Sequence, residues 1–254
     1  MLAGVAGCLY DPPFADCHIS CTSTTGCPSG FSCLSEGLCR ADGETELCGD
    51  GAPIQWVSTV AQRIHSTASD SFSVGVEAGH AVVMQVGCSG SAAPSAVAVS
   101  APGWNLMPIE PLLFSQGVSE ATYGATVPSA TPTTVTVTWT GSTCESGNAV
   151  LADEFANTDP RGGAFTFDKH VQTAGTGSGA CNATVETGSP NEAVWAACLA
   201  NVAGAGSGYT LAGNDGNNDE SEYKVTTDPA NTSELVTFSN ATPYLVSVVT
   251  LRPQ

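Results

Sequence analysis

Thr134-Val135-Thr136-Val137-Thr138-Trp139-Thr140 decides the fold class. Val135, Val137 and Trp139 point one way and the four threonines the other, which is the period of two of a half-buried strand. Phe72-Ser73-Val74-Gly75-Val76 alternates in the same manner. Ala81-Val82-Val83-Met84-Gln85-Val86 and Tyr244-Leu245-Val246-Ser247-Val248-Val249-Thr250-Leu251 are more continuously apolar, as central strands covered on both faces should be. Further strands are expected at 95–100, 120–127, 149–156, 164–171, 181–187, 192–200, 208–212, 221–226 and 233–238, with Gly, Pro, Asn and Asp between them. Only Ala193 to Ala203 reads as helix or strand alike. The expectation for residues 51–254 is therefore an all-β domain, a β-sandwich of jelly-roll or Ig-like type with about a dozen strands.

Upstream of this region the composition changes. Six cysteines (Cys17, Cys21, Cys27, Cys33, Cys39 and Cys48) fall among few large apolar residues, so residues 17–50 form a small module whose core is made of disulfides. The suggested pairs are Cys21–Cys33, Cys27–Cys39 and Cys17–Cys48, although six cysteines allow fifteen pairings. Zinc fits poorly, because only Cys17 and Cys21 have ligand-like spacing and no His pair follows. In the large domain, Cys181 and Cys198 would close a loop worth about 3 kcal/mol. Cys88 and Cys144 each follow a strand and could tie two loops at one end of the sandwich.

The chain carries 24 acidic and 6 basic side chains, a formal charge of −18. So few cations leave nothing with which to grip a phosphate backbone, so no nucleic acid partner is expected. No run reaches the roughly 18 apolar residues of a membrane helix. Eleven cysteines cannot all pair. Val5-Ala6-Gly7-Cys8 resembles the bacterial lipobox, in which an aliphatic residue and two small residues precede a cysteine that is acylated after the bond before it is cleaved. The resemblance implies that residues 1–7 are the remnant of a signal peptide, that Cys8 is the lipidation site, and that 8–16 form a tether. It leaves ten cysteines for five bridges. The bland alternative pairs Cys8 within the module and leaves another thiol free. Leu9 after Cys8 points to outer-membrane sorting by family analogy.

Two more resemblances follow from quoted motifs. Cys27-Pro28-Ser29-Gly30-Phe31-Ser32-Cys33 is similar to the small cysteine repeats, EGF-like or colipase-like in look, of secreted bacterial lipoproteins. Gly79-His80-Ala81-Val82-Val83, the threonine-rich strand, Asp153-Glu154-Phe155-Ala156-Asn157 and the closing Val248-Val249-Thr250-Leu251-Arg252 together resemble a β-sandwich of bacterial exported and phage surface proteins. That likeness implies surface display and binding, and no catalytic residue travels with it.

Chemistry is sparse. His18, His65, His80 and His170 form neither His-x3-His nor HExxH, and His80 and His170 read as surface residues. No G-x-S-x-G elbow, P-loop or dinucleotide fingerprint is present. Asp215, Asn217 and Asp219 stand at positions one, three and five of a D-x-N-x-D run, the alternation that suits calcium. Glu220 replaces the sixth-position glycine, so the loop is no EF-hand, and a solvated Asx-rich turn explains it as well. Trp104, in the turn-like Ala101-Pro102-Gly103-Trp104-Asn105, is the candidate exposed ring for stacking a sugar, whereas Trp139 and Trp195 read as buried. The leading expectation is a non-enzymatic cell-surface lipoprotein without cofactor, its sandwich binding another surface protein or a polysaccharide and the membrane touched only by the lipid. The alternatives are a carbohydrate-binding module, with calcium or without it, and an unrecognised hydrolase.

Overall fold

The computed structural model describes residues 26–33, 39–42, 54–65, 67–142, 144, 147–157, 164–176, 180–187, 191–200, 202, 204–226, 233–239 and 243–253. The chain forms two compact units, Met1–Asp50 and Gly51–Gln254. In the first, β1 (Phe31–Cys33) and β2 (Cys39–Ala41) pair antiparallel, and a disulfide joins Cys27 to Cys39. The pairings expected for Cys21 with Cys33 and Cys17 with Cys48, and the anchor Cys8, involve residues outside the described set.

The second unit is all β among its described residues. Its strands are β3 (Ile54–His65), β4 (Ser69–Val74), β5 (Ala81–Ser89), β6 (Ala96–Ser100), β7 (Asn105–Ser115), β8 (Val118–Thr126), β9 (Thr133–Thr140) and β10 (Gly147–Asn157). They continue with β11 (Phe165–Gly175), β12 (Ala180–Glu186), β13 (Ala193–Leu199), β14 (Thr210–Asn214), β15 (Glu220–Val225), β16 (Ser233–Ser239) and β17 (Tyr244–Pro253). Four sheets result: β3-β10-β5-β8-β7, β4-β9-β6, β11-β17-β13-β15-β14 and β12-β16. The sandwich is thus built twice.

Alternation along the strands explains the layering. Val82, Met84, Val86 and Cys88 of β5 join Phe72, Val74, Val135, Val137 and Trp139 of β4 and β9 in the first core. Val194, Ala196 and Cys198 of β13 join Val185, Val236 and Phe238 of β12 and β16 in the second. The opposite faces of the two five-stranded sheets pack on each other through Ile54, Ala81, Val83, Leu151 and Phe155 against Phe165, Ala193, Trp195, Val249 and Leu251. Strands β5, β13 and β17 are covered on both sides, which is why they read as unbroken apolar runs. Gly124 gives Phe167 of the facing sheet its seat, since a Cβ there would lie 2.7 Å from the ring.

The two sandwiches share one topology. Setting β11 on β3 places β17 on β10, β13 on β5, β15 on β8, β14 on β7, and β12-β16 on β4-β9; among the described residues β6 alone lacks a counterpart. Local details agree. Gly79 N donates to Val127 O and Val127 N to His80 O; Asn191 N donates to Thr226 O and Thr226 N to Glu192 O. Gly79 and Asn191 both have positive φ, +83° and +63°. A register irregularity opposite Glu154/Phe155 in the β3–β10 pair recurs between Phe167 and His170 of β11, where it faces β17. The molecule is a tandem repeat at the level of fold.

Two strands depart from the sequence reading. β3 and β7 were not among the expected segments. β7 contains Pro108 and Pro111, which argue against a strand, but it lies at the sheet edge, where proline is tolerated, and its ladder with β8 is irregular around both prolines. The ambiguous stretch from Ala193 resolves as strand β13, buried along its whole length.

Candidate functional site

The polar groups between the two inner sheets are structural before they are anything else. Asp153, on β10, is fully buried and accepts from Trp56 Nε1 at 3.3 Å and Thr59 Oγ1 at 2.6 Å in its own sandwich, and from Trp195 Nε1 and Ser221 Oγ, both at 2.7 Å, in the other. Burial nevertheless pushes its acidity toward the neutral form, against the pull of those donors. Glu120, on β8, accepts from Gln85 Nε2 at 2.5 Å and from Ser247 Oγ across the interface at 2.9 Å. Gln85 also donates to Ala197 O of the facing sheet at 3.1 Å. Two carboxyl-centred nodes therefore join the halves.

Two histidines, His80 and His170, are occupied in the same structural way. His80 Nδ1 lies 2.6 Å from Glu154 Oε1, and Ser58 Oγ donates to Glu154 Oε2 at 3.2 Å. His80 is partly covered, its ring drawn onto the sheet by the buried Glu154. His170 Nδ1 lies 2.7 Å from Glu110 Oε1 across the two halves and stays exposed. In both cases the imidazole serves a carboxylate, and Ser58 gives its proton to the acid, not to a histidine.

Trp104 does not offer the open ring that its turn suggests. It is only 9% exposed and packs in the first core, because the turn after β6 folds back over the open end of the sandwich. Trp139 and Trp195 are buried, at 3% and 0%. Of the D-x-N-x-D run, Asp215 Oδ1 accepts the amides of Asn217 at 2.8 Å and Asp219 at 3.2 Å, an Asx turn, while Asn217 faces solvent. Burial, then the neighbouring Asp215, push Asp219 up to about 8. The structure brings Asp215 and Asp219 together and leaves Asn217 aside. Among the described residues no cluster of three His, Cys, Asp or Glu side chains is placed to hold a metal ion.

Around this turn a second acidic arrangement stands where the first sandwich has β6. In the first sandwich Tyr123 OH donates to Val97 O of β6 at 3.3 Å. The register puts Glu222 at the place of Tyr123, and its Oε2 accepts from Gly206 N at 2.6 Å in the segment that follows β13. Val202 N donates to Asn218 O at 2.9 Å. Burial pushes Glu222 up to about 7. The acids hold the segment that stands in for β6.

An open concavity lies at one end of the first sandwich. Three turns converge there, contributing Ala68 after β3, Ser91 and Ala92 after β5, and Gly141 and Ser142 after β9, with Trp139 and Thr140 at the end of β9. They line a groove of about 620 Å³. The turns are fastened: Cys88 is bonded to Cys144, Trp139 N donates to Ala68 O at 2.7 Å, and Ser95 N donates to Thr140 O at 2.7 Å. Sequence reading saw Cys88 and Cys144 at strand ends but not the groove, because its walls are small turn residues with no motif. The one signal was the clustering of Ser, Ala and Gly next to both cysteines. Cys181 and Cys198 are joined in the second sandwich, tying β12 to β13 across the core.

Compared with family models, curated proteins and solved structures, the chain matches none of them.

Proposed function

We propose that this chain is an exported, lipid-anchored, non-enzymatic binding protein of a cell surface. Lipid on Cys8 would hold it to the membrane, the 17–50 module would act as spacer, and the paired sandwiches would present the binding surface. The observation that carries this reading is the disulfide in each sandwich, Cys88–Cys144 in one and Cys181–Cys198 in the other, beside Cys27–Cys39 upstream. Such bonds persist in oxidising compartments and are rare in the cytosol.

The test is intact mass of the protein expressed behind a bacterial lipoprotein leader, compared with Cys8→Ser. The expected result is cleavage before Cys8, an acyl mass increment absent from the variant, and ten cysteines resistant to alkylation before reduction. An unacylated chain with alkylatable thiols would overturn the proposal.

A further inference from the structure

Every sheet of the larger unit ends in edge strands, and an edge with open backbone groups invites another chain to pair with it. Most of these edges carry a deterrent. β7 holds two prolines, and β3, β11 and β14 break register against their neighbours. β6 is five residues long, Arg63 lies against β4 through Asp70 and the Phe72 ring, and β12 presents Glu186 to solvent. β16 differs from all of them. Its seven residues keep regular register with β12, and its outward side chains, Ser233, Leu235, Thr237 and Ser239, are uncharged. Leu235 is 61% exposed. The charged residue of the strand, Glu234, is buried and held by Lys224 Nζ at 2.7 and 2.8 Å.

What covers the edge of β16 is the segment between β13 and β14. In the first sandwich the equivalent strand, β9, is paired along that edge with β6 over five residues. In the second, Gly206 takes the place of a strand: a Cβ on it would lie 2.2 Å from Thr237 O, and backbone cannot swing aside. Val202 fixes one end of the segment, buried in the second core with its N donating to Asn218 O at 2.9 Å. Tyr209, packed on the same core, fixes the other. The middle is latched by Gly206 N, which donates to Glu222 Oε2 at 2.6 Å. A side-chain bond and a glycine contact thus do for β16 what a ladder does for β9.

We infer that residues 204–208 are a removable guard on the edge of β16, and that lifting them lets β16 pair with β16 of a second copy of the chain. The strand is complementary to itself. Set antiparallel about Val236, it puts Leu235 against Thr237, and Ser233 against Ser239, of the second copy, joining two β12-β16 sheets into one. Such a contact has two-fold symmetry and closes on itself, so a dimer forms and not a fibre. A formal charge of −18 on each copy opposes the approach, so salt should tighten the dimer. The inference goes beyond the binding reading and stands without it.

Sedimentation velocity and near-ultraviolet circular dichroism would compare the unaltered chain with Gly206→Val, Glu222→Ala, and Gly206→Val combined with Leu235→Lys. Gly206→Val pushes the segment off Thr237, Glu222→Ala removes the latch, and Leu235→Lys adds a charge of the kind that deters edge pairing. The expected result is a monomer for the unaltered chain and a salt-strengthened dimer for both single variants with native spectra. Adding Leu235→Lys should return the monomer. In hydrogen exchange, the Gly206 amide of the unaltered chain should exchange at least tenfold faster than that of the buried Trp195. Folded single variants that stay monomeric would overturn the inference, as would a dimer that Leu235→Lys leaves intact. A β16 dimer already present in the unaltered chain would overturn the guard. Should both single variants lose their native spectra, exchange in the unaltered chain decides. Equal protection of Gly206 and Trp195 would mean that the segment lifts only on global unfolding, and the guard would fall.

Discussion

At the scale of the residue, Glu120 sets the response to pH. Fully buried between the inner sheets, it is pushed up to about 8 by loss of solvation, against the opposing pull of Ser247 and other donors. In the unfolded chain it titrates near 4.5. The folded form therefore keeps a proton that the unfolded form gives up. Its contribution is complete below about 4.5 and is lost as pH rises through about 8. Asp219, at about 8, and Glu222, at about 7, act with the same sign. Denaturant midpoints should fall between pH 5 and 9, the reverse of ordinary acid denaturation. Glu120→Gln, which keeps the shape and cannot ionise, should flatten part of that slope and be the more stable protein at pH 9. A parallel pair of curves would show that Glu120 is not the neutral group at this joint.

At the scale of the element, the disulfides and the Asx turn give separable outcomes. Cys88–Cys144 spans 56 residues of sequence and Cys181–Cys198 spans 17. In the chain-entropy model the longer loop stabilises more, by about 1 kcal/mol. Replacing each pair by alanine and comparing urea midpoints should show the larger loss for Cys88/Cys144. For the turn, Asp215 Oδ1 is already committed to the amides of Asn217 and Asp219, and burial beside Asp215 holds a proton on the Asp219 carboxyl. EDTA should leave the thermal midpoint at pH 7 within about 1 °C, whereas a marked drop would mean that a cation replaces that proton. The elements also show how far the sequence could be read. β9 and β5 are legible because one alternates and the other is apolar throughout, so burial on one face or two leaves a pattern. β7 is not legible, because its prolines obey an edge position that only tertiary structure reveals. Trp104 misleads for a related reason: a turn residue can fold inward to close a core.

At the scale of the whole molecule, the duplication escaped sequence reading because matching positions hold different residues. The register pairs Val83 with Trp195, Gln85 with Ala197 and Asp153 with Val249. What is common is alternation, strand order and one turn geometry, none of which shows as identity. The shared inner layer makes the halves interdependent. A fragment of residues 51–160 would uncover Ile54, Val83, Leu151 and Phe155, all buried in the intact chain. It should bind a hydrophobic dye and self-associate in ultracentrifugation, while the 51–254 unit unfolds in a single transition by circular dichroism and tryptophan fluorescence. Two separate transitions would mean that each sandwich is stable alone.

Covalent linkage of the two sandwiches has a last consequence. Separate proteins carrying these faces would cover them only when enough molecules met, so their protection would vanish on dilution. On one polypeptide each face finds its mate at a local concentration fixed by the connecting segment, whatever the number of molecules in the neighbourhood. A dilute solution of the chain then holds the same finished particle as a concentrated one.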